Sequence, residues 1–159
     1  MPRLFLLLLL YCTIAKGQYE SLSDLRFPVD KELLLTLVNT KRSQGCQCGD
    51  TYYPAVSPLT WNKKLANAAQ KHSDEMAKRK KLTHYSKNGD DPGKRLSKEG
   101  YRWHAYAENV AMGYFDERTV IQGWLSSPAH CANIMNPLVK EMGVAYNGKY
   151  WTQVFGSEE

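Results

Sequence analysis

Residues 123–146, GWLSSPAHCANIMNPLVKEMGVAY, carry the chain from an amphipathic helix into a strand, and their reading decides the fold class. Upstream of them Asp116 is placed to cap a helix on which Val120, Ile121, Trp124 and Leu125 share one apolar face. Pro128 is expected to stop that helix, because a proline disfavours helical geometry at the residue before it. The chain then turns through small and amide residues and leaves by Pro137. Downstream lie two short apolar runs, 142–146 and 150–155, joined through Asn147-Gly148. That dipeptide favours a tight hairpin, since both of its residues accept positive φ. His130, Cys131 and Glu141 sit within this stretch, on or beside its short stiff connection.

Working back toward the N-terminus, YAENVAMG (106–113) sets a polar pair, Glu108-Asn109, inside a small apolar stretch. Before it, LTHYSKNGDDPGKRLSKEG (82–100) is a polar loop holding His84, then a short helix begun by Asp91-Pro92 and closed by Gly100. Asn62 caps a longer helix with Leu65, Ala69, His72 and Met76 in one stripe, so His72 faces the interior or its edge. Asp30 caps the first helix, which ends at Gln44 before Gly45 and buries the side of Leu33, Leu34, Leu37 and Val38. GCQCGDTYYPAVSP (45–58) between them reads as a long loop. Helices interleaved with a few strands that finish as a hairpin give an α+β domain with antiparallel pairing.

Residues 1–17 have the pattern of an export signal. Arg3 precedes an apolar run from residue 4 to 15, and Ala15-Lys16-Gly17 supplies small residues for cleavage. The run is too short to span a bilayer. Removing these residues leaves 142, enough for one domain with a real core, with 18–28 as a lead-in. Arg3 and Lys16 go with the signal, so 19 basic residues face 16 acidic ones. Much of the excess lies on one helix and its end, at Lys71, Lys78, Arg79, Lys80 and Lys81, as on a solvated face. No nucleic-acid motif accompanies it, and a nucleic-acid partner is not expected. Three cysteines remain. In an oxidising compartment one disulfide forms, from Cys46 or Cys48 to Cys131, because Cys46 and Cys48 are too close in sequence to pair without strain.

His84, His130, Glu108 and Glu141 are the residues placed for chemistry. Two imidazoles with a carboxylate can hold zinc with one position open, or serve as acid and base. A metal-activated water with Glu108 or Glu141 as base would make a hydrolase. The chain has no HExxH helix and no GxSxG serine signature. Cys131 is a poor nucleophile candidate, since its neighbour His130 points elsewhere and a disulfide would consume its thiol.

The segments LTHYS, AENVAMGY, GWLSSPAHCANIMNP and EMGVAYNGKYWTQVFG, in this order, resemble the signature of the CAP superfamily. That family groups cysteine-rich secretory proteins, venom allergens and pathogenesis-related proteins; the likeness is nearest to its short bacterial-type members, with an SCP domain and little else. It spans residues 29–156. The resemblance implies a three-layer α-β-α sandwich with a small antiparallel sheet. It also implies a cleft tetrad of His84, Glu108, His130 and Glu141, in which His84 and His130 bind Zn²⁺ or another divalent cation. Asn109 and Ser127 fall where they would support the cleft. By the same likeness the protein is a secreted monomer, in the periplasm or at the cell surface if bacterial. It would bind a cation and a small ligand, lipid or peptide rather than catalyse a reaction. The cysteine-rich C-terminal extension of the animal members is absent from the sequence, so roles tied to that extension do not transfer.

Overall fold

The computed structural model describes residues 28–158; the export signal and all of the lead-in but Pro28 lie outside them. Five helices and six strands follow in the order α1 (Lys31–Gln44), β1 (Cys46–Cys48), β2 (Thr51–Tyr53), β3 (Thr60–Trp61), α2 (Lys63–Arg79), α3 (Pro92–Lys98), β4 (Trp103–Met112), α4 (Glu117–Leu125), α5 (Pro128–Ile134), β5 (Glu141–Asn147) and β6 (Tyr150–Glu158). The caps fall where the sequence sets them. Asp30, Asn62, Asp91 and Asp116 each accept from backbone N–H groups of the first turn they precede.

The main sheet has four strands in the order β3-β5-β6-β4. β5–β6 and β6–β4 are antiparallel, but β3 runs parallel to β5, so the all-antiparallel expectation is corrected at one edge. Register assigns the two faces. Glu108, Val154 and Gly143 are cross-strand neighbours on one; Asn109, Gln153 and Val144 are neighbours on the other. On the first face α2 lies over β5 and β6, and α3 over β4, around Leu65, Ala69, Leu96, Tyr101 and Val154. Against the second pack α1, α4 and α5, with Leu34, Val38, Trp124, Ile134, Trp151 and Phe155 at the centre. Helices cover both faces, giving the α-β-α sandwich.

The close approach of α2 to the sheet depends on Gly143. A Cβ there would lie 2.1 Å from the backbone nitrogen of Ala66, so no side chain fits. On the opposite layer Arg42 is fully buried, and its guanidinium donates to the carbonyls of Ser57, Ile134 and Asn136. It ties α1 to the C-terminal end of α5. Burial lowers its pKa to about 10, which leaves it cationic at neutral pH.

Three local expectations change. The stretch from 45 to 58 contains the hairpin β1–β2, with Cys46 opposite Tyr53 and Cys48 opposite Thr51. Pro128 does not merely end α4; it is the first residue of α5, where its missing N–H costs nothing and its fixed φ suits the helix. The final hairpin pairs Asn147 with Tyr150, so its turn is Gly148-Lys149, one residue later than expected. Only Gly148 has positive φ there (55°), as in a type II′ turn.

Candidate functional site

β4 is an outer strand, so groups from both layers can meet around its edge. From the α2/α3 layer come His84 and Arg95. His84 Nδ1 lies 2.9 Å from Oε1 of Glu108, and the guanidinium of Arg95 is bonded to Oε2 of the same carboxylate. The Glu108 side chain is almost entirely shielded from solvent, while His84 is exposed. A carboxylate out of water needs such partners, and Arg95 supplies the opposite charge. Both oxygens of Glu108 are thereby engaged.

The backbone around His84 is held from two sides. Arg95 donates to the His84 carbonyl at 2.8 Å. One residue earlier, the Thr83 carbonyl accepts from Nε2 of His72 at 2.7 Å. His72 is buried on α2, as its stripe predicted, and its other ring nitrogen has no hydrogen-bond partner. That fixes the neutral Nε2–H form, and burial pushes its pKa below the usual imidazole value.

From the other layer comes His130, on α5. The helix is pinned to β4 by amides: Asn109 donates to the His130 carbonyl at 3.2 Å and to Gln153 Oε1 at 3.0 Å, and accepts from Asn133 at 2.9 Å. Asn133 also donates to the Glu108 carbonyl. His130 is half-buried; burial first, then the charge of nearby His84, push its pKa down. The two histidines are thus set by separate hydrogen-bond frames, one in each helical layer. Ser127 stands at the N-cap of α5, but its side chain makes no cap bond; its carbonyl accepts from Cys131 N–H at 2.8 Å.

Glu141 lies apart from this group. It opens β5, with β6 between it and β4. From the strand spacing and a two-residue offset, its Cα is on the order of 10 Å from that of Glu108. Asn62 donates to its Oε1 at 2.8 Å and the Tyr101 hydroxyl to its Oε2 at 2.7 Å. Burial first, then that bond, raises the Tyr101 pKa far above its ordinary value, so the phenol keeps its proton. The residue that joins Glu108 and His84 is instead Arg95. Sequence reasoning passed over it, because a basic residue on a short polar helix reads as solvated. On α3 it is buried together with Gly93 and Leu96, and no local pattern in the sequence marks that side as inward for a basic residue.

The cysteines form a second cluster. Cys48 and Cys131 are disulfide-bonded, with Cα atoms 5.5 Å apart, and Cys46 is free. The bridge joins β1 to α5 just beside His130. Among the described residues, the set of three metal-capable side chains with mutually close ligand atoms is this sulfur cluster, within 4.8 Å. The histidine pair has no third donor of that kind. With both Glu108 oxygens taken, a cation there would have two imidazoles from the protein and water elsewhere. Those donors suit Zn²⁺ or a similar borderline ion, in an open site.

The profile of the cysteine-rich secretory protein family (CAP) matches residues 35–155. The chain belongs to that family. Among proteins of Bacillus subtilis (strain 168), this CAP chain is 30% identical over 100 residues to the uncharacterised membrane protein YlbC, covering 63% of this chain and 29% of that one. To the uncharacterised protein YkwD it is 29% identical over 102 residues, covering 63% and 40%. It therefore spans well under half the length of these relatives. Among solved structures it is similar to an extracellular protein containing a SCP domain from Bacillus anthracis str. Ames. The TM-score is 0.70 at 27% identity, covering 80% of this chain and 40% of that one.

Proposed function

We propose that this CAP domain acts outside the cytoplasm as a binding module, and that His84 and His130 together take a divalent cation. The observation that carries the reading is the bond from His84 Nδ1 to a buried carboxylate. A carboxylate on one ring nitrogen fixes the tautomer and leaves Nε2 as the free donor, the outer-sphere arrangement typical of metal-ligating histidines. His130, whose pKa is pushed down chiefly by burial, supplies the second nitrogen. When bound, the cation would polarise or anchor a negatively charged or carbonyl-bearing ligand at the β4 edge.

Binding is favoured over hydrolysis because neither Glu108 nor Glu141, the two carboxylates expected as a base, has its oxygens free. Glu108 is committed to Arg95 and His84, and Glu141 to Asn62 and Tyr101. A cavity of about 420 Å³ next to the site shares Arg95 and is lined by Lys71, Glu75, Lys98 and Glu99 among others, so a small ligand held there would be polar. An extracellular setting is supported by the residue 1–17 pattern and by the Bacillus anthracis relative. Among the described residues no helix is long and apolar enough to cross a membrane.

The test is thermal unfolding with and without Zn²⁺, comparing the parent with a His84→Ala, His130→Ala double variant. Zinc should raise the parent Tm and leave the variant unmoved, since only a ligand that prefers the folded state stabilises it. A parent that does not respond, or a variant that responds equally, rejects the site. Metal-dependent turnover of a peptide or ester panel by the parent alone would replace binding with hydrolysis.

A further inference from the structure

We propose that Cys46, Cys48 and Cys131 form a thiol–disulfide exchange site, in which Cys46 and Cys48 are alternative partners of Cys131 and one free thiol passes between them. The thiol of Cys46 lies 3.5 Å from Cys131 Sγ, about sulfur–sulfur contact distance, although Cys131 is already bonded to Cys48. Cys46 and Cys48 are two apart on β1, so both side chains leave the same face of the strand. Cys131 on α5 meets that face between them. Strand geometry thus offers Cys131 two sulfurs in near-equivalent positions, and among the described residues there is no further cysteine to pair with the one left over.

The exchange is balanced without an outside oxidant or reductant. Cys46 loses its proton to solvent and its thiolate attacks Cys131 Sγ. The Cys46–Cys131 bond forms as the Cys48–Cys131 bond breaks, and Cys48 leaves as a thiolate that takes a proton from water. Cys46 Sγ rests beside the Cys48–Cys131 bond rather than on its axis, because all three sulfurs lie within 4.8 Å of one another. Reaching the axis takes a rotation about the Cα–Cβ bond of Cys46. No strong hydrogen bond opposes that turn, since its one other polar contact is a weak one to the Gln47 carbonyl at 3.8 Å.

The two isomers differ in what they show to solvent. With Cys48 bonded, the thiol is the half-exposed Cys46; with Cys46 bonded, it is Cys48, which is 3% exposed in the present arrangement. Exchange therefore sets whether the domain presents a thiol to small disulfides or electrophiles. It does so on the strand that is tied to the helix carrying His130.

The experiment is thiol mapping on the full exported chain. Protein is held at mildly alkaline pH and then acidified, which freezes exchange by protonating thiolates. It is next unfolded in acid, labelled with a maleimide and fragmented between Cys46 and Cys48. Label should appear on both residues after alkaline incubation, whereas a Cys46→Ser variant, whose Cys48 and Cys131 are bonded to each other, should take none. A Cys48→Ser variant, oxidised as the parent is, should form the Cys46–Cys131 bridge and show no free thiol. Label confined to Cys46 in the parent overturns the proposal even if a variant fails to fold. So do two free thiols per chain in folded Cys48→Ser.

Discussion

The imidazole of His84 and the carboxylate of Glu108 are joined at 2.9 Å across the edge of an outer strand, with the guanidinium of Arg95 closing the far side of the carboxylate. The exposed histidine thus takes its orientation from a buried acid that cannot relax into water. Removing the acid alone should loosen the ring and leave Arg95 without its charge partner.

Glu108→Gln is expected to lower Zn²⁺ affinity by about tenfold to a hundredfold while His84 remains in place, the usual cost of losing a carboxylate behind a ligating histidine. Titration calorimetry on the folded variant checks this. Parental affinity would mean that the bond orients nothing that binds metal.

His72 predicts a pH dependence of stability. Its folded pKa lies below the ordinary value of 6.5, as does that of His130, both chiefly through burial. The unfolded chain therefore binds more protons in the window below 6.5, and stability falls as pH drops from about 7 toward 5. His72→Gln retains an N–H for the Thr83 carbonyl but cannot titrate. Urea unfolding across this range should give a shallower pH slope for the variant. Identical slopes would remove His72 from the account.

Gly143→Ala should cost about 3 kcal/mol or more, or prevent folding, because the new methyl meets the backbone of α2 rather than a side chain that can move aside. Gly148→Ala is the contrasting case. Nothing lies within 4 Å of its Cβ position and only its positive φ objects, so the loss should be about 1 kcal/mol. Denaturant midpoints for the pair distinguish contact from conformation.

Arg42→Met retains bulk and removes the donors that satisfy carbonyls at Ser57, Ile134 and Asn136. We expect a loss of about 3 kcal/mol, since buried acceptors lose their partners. Because the Ile134 carbonyl ends α5 and that of Asn136 lies just past it, amide exchange should quicken in that helix before it does in α2. Uniform quickening would argue against a local role.

Much of this fold was legible because its helices announce themselves. Asp30, Asn62, Asp91 and Asp116 are caps that act through local hydrogen bonds, so they read the same in sequence and in structure. The apolar stripes of α2 and α4 name their buried faces for the same reason. What escaped the sequence depends on contacts between distant segments. The strands β1 and β2 are three residues each, too short for a periodic signal, and a disulfide tethers the first. Pro128 suits both the end of one helix and the start of another, and the space beside β4 decides between them. Glu141 sits in an ordered block with the other candidates, yet strand order sets it two strands away from Glu108. Arg95 faces inward only because a buried acid on β4 awaits it, which no local pattern records.

The central claim is that two rings 46 positions apart serve one cation, and calorimetric titration of Zn²⁺ at pH 7.5 tests it most directly. A Cys46→Ser background removes the free thiol as a rival ligand. The account predicts one zinc per chain, with His84→Ala and His130→Ala each weakening binding by at least about tenfold, because losing either ring leaves a single protein donor. Unchanged affinity and stoichiometry in either single variant would contradict it.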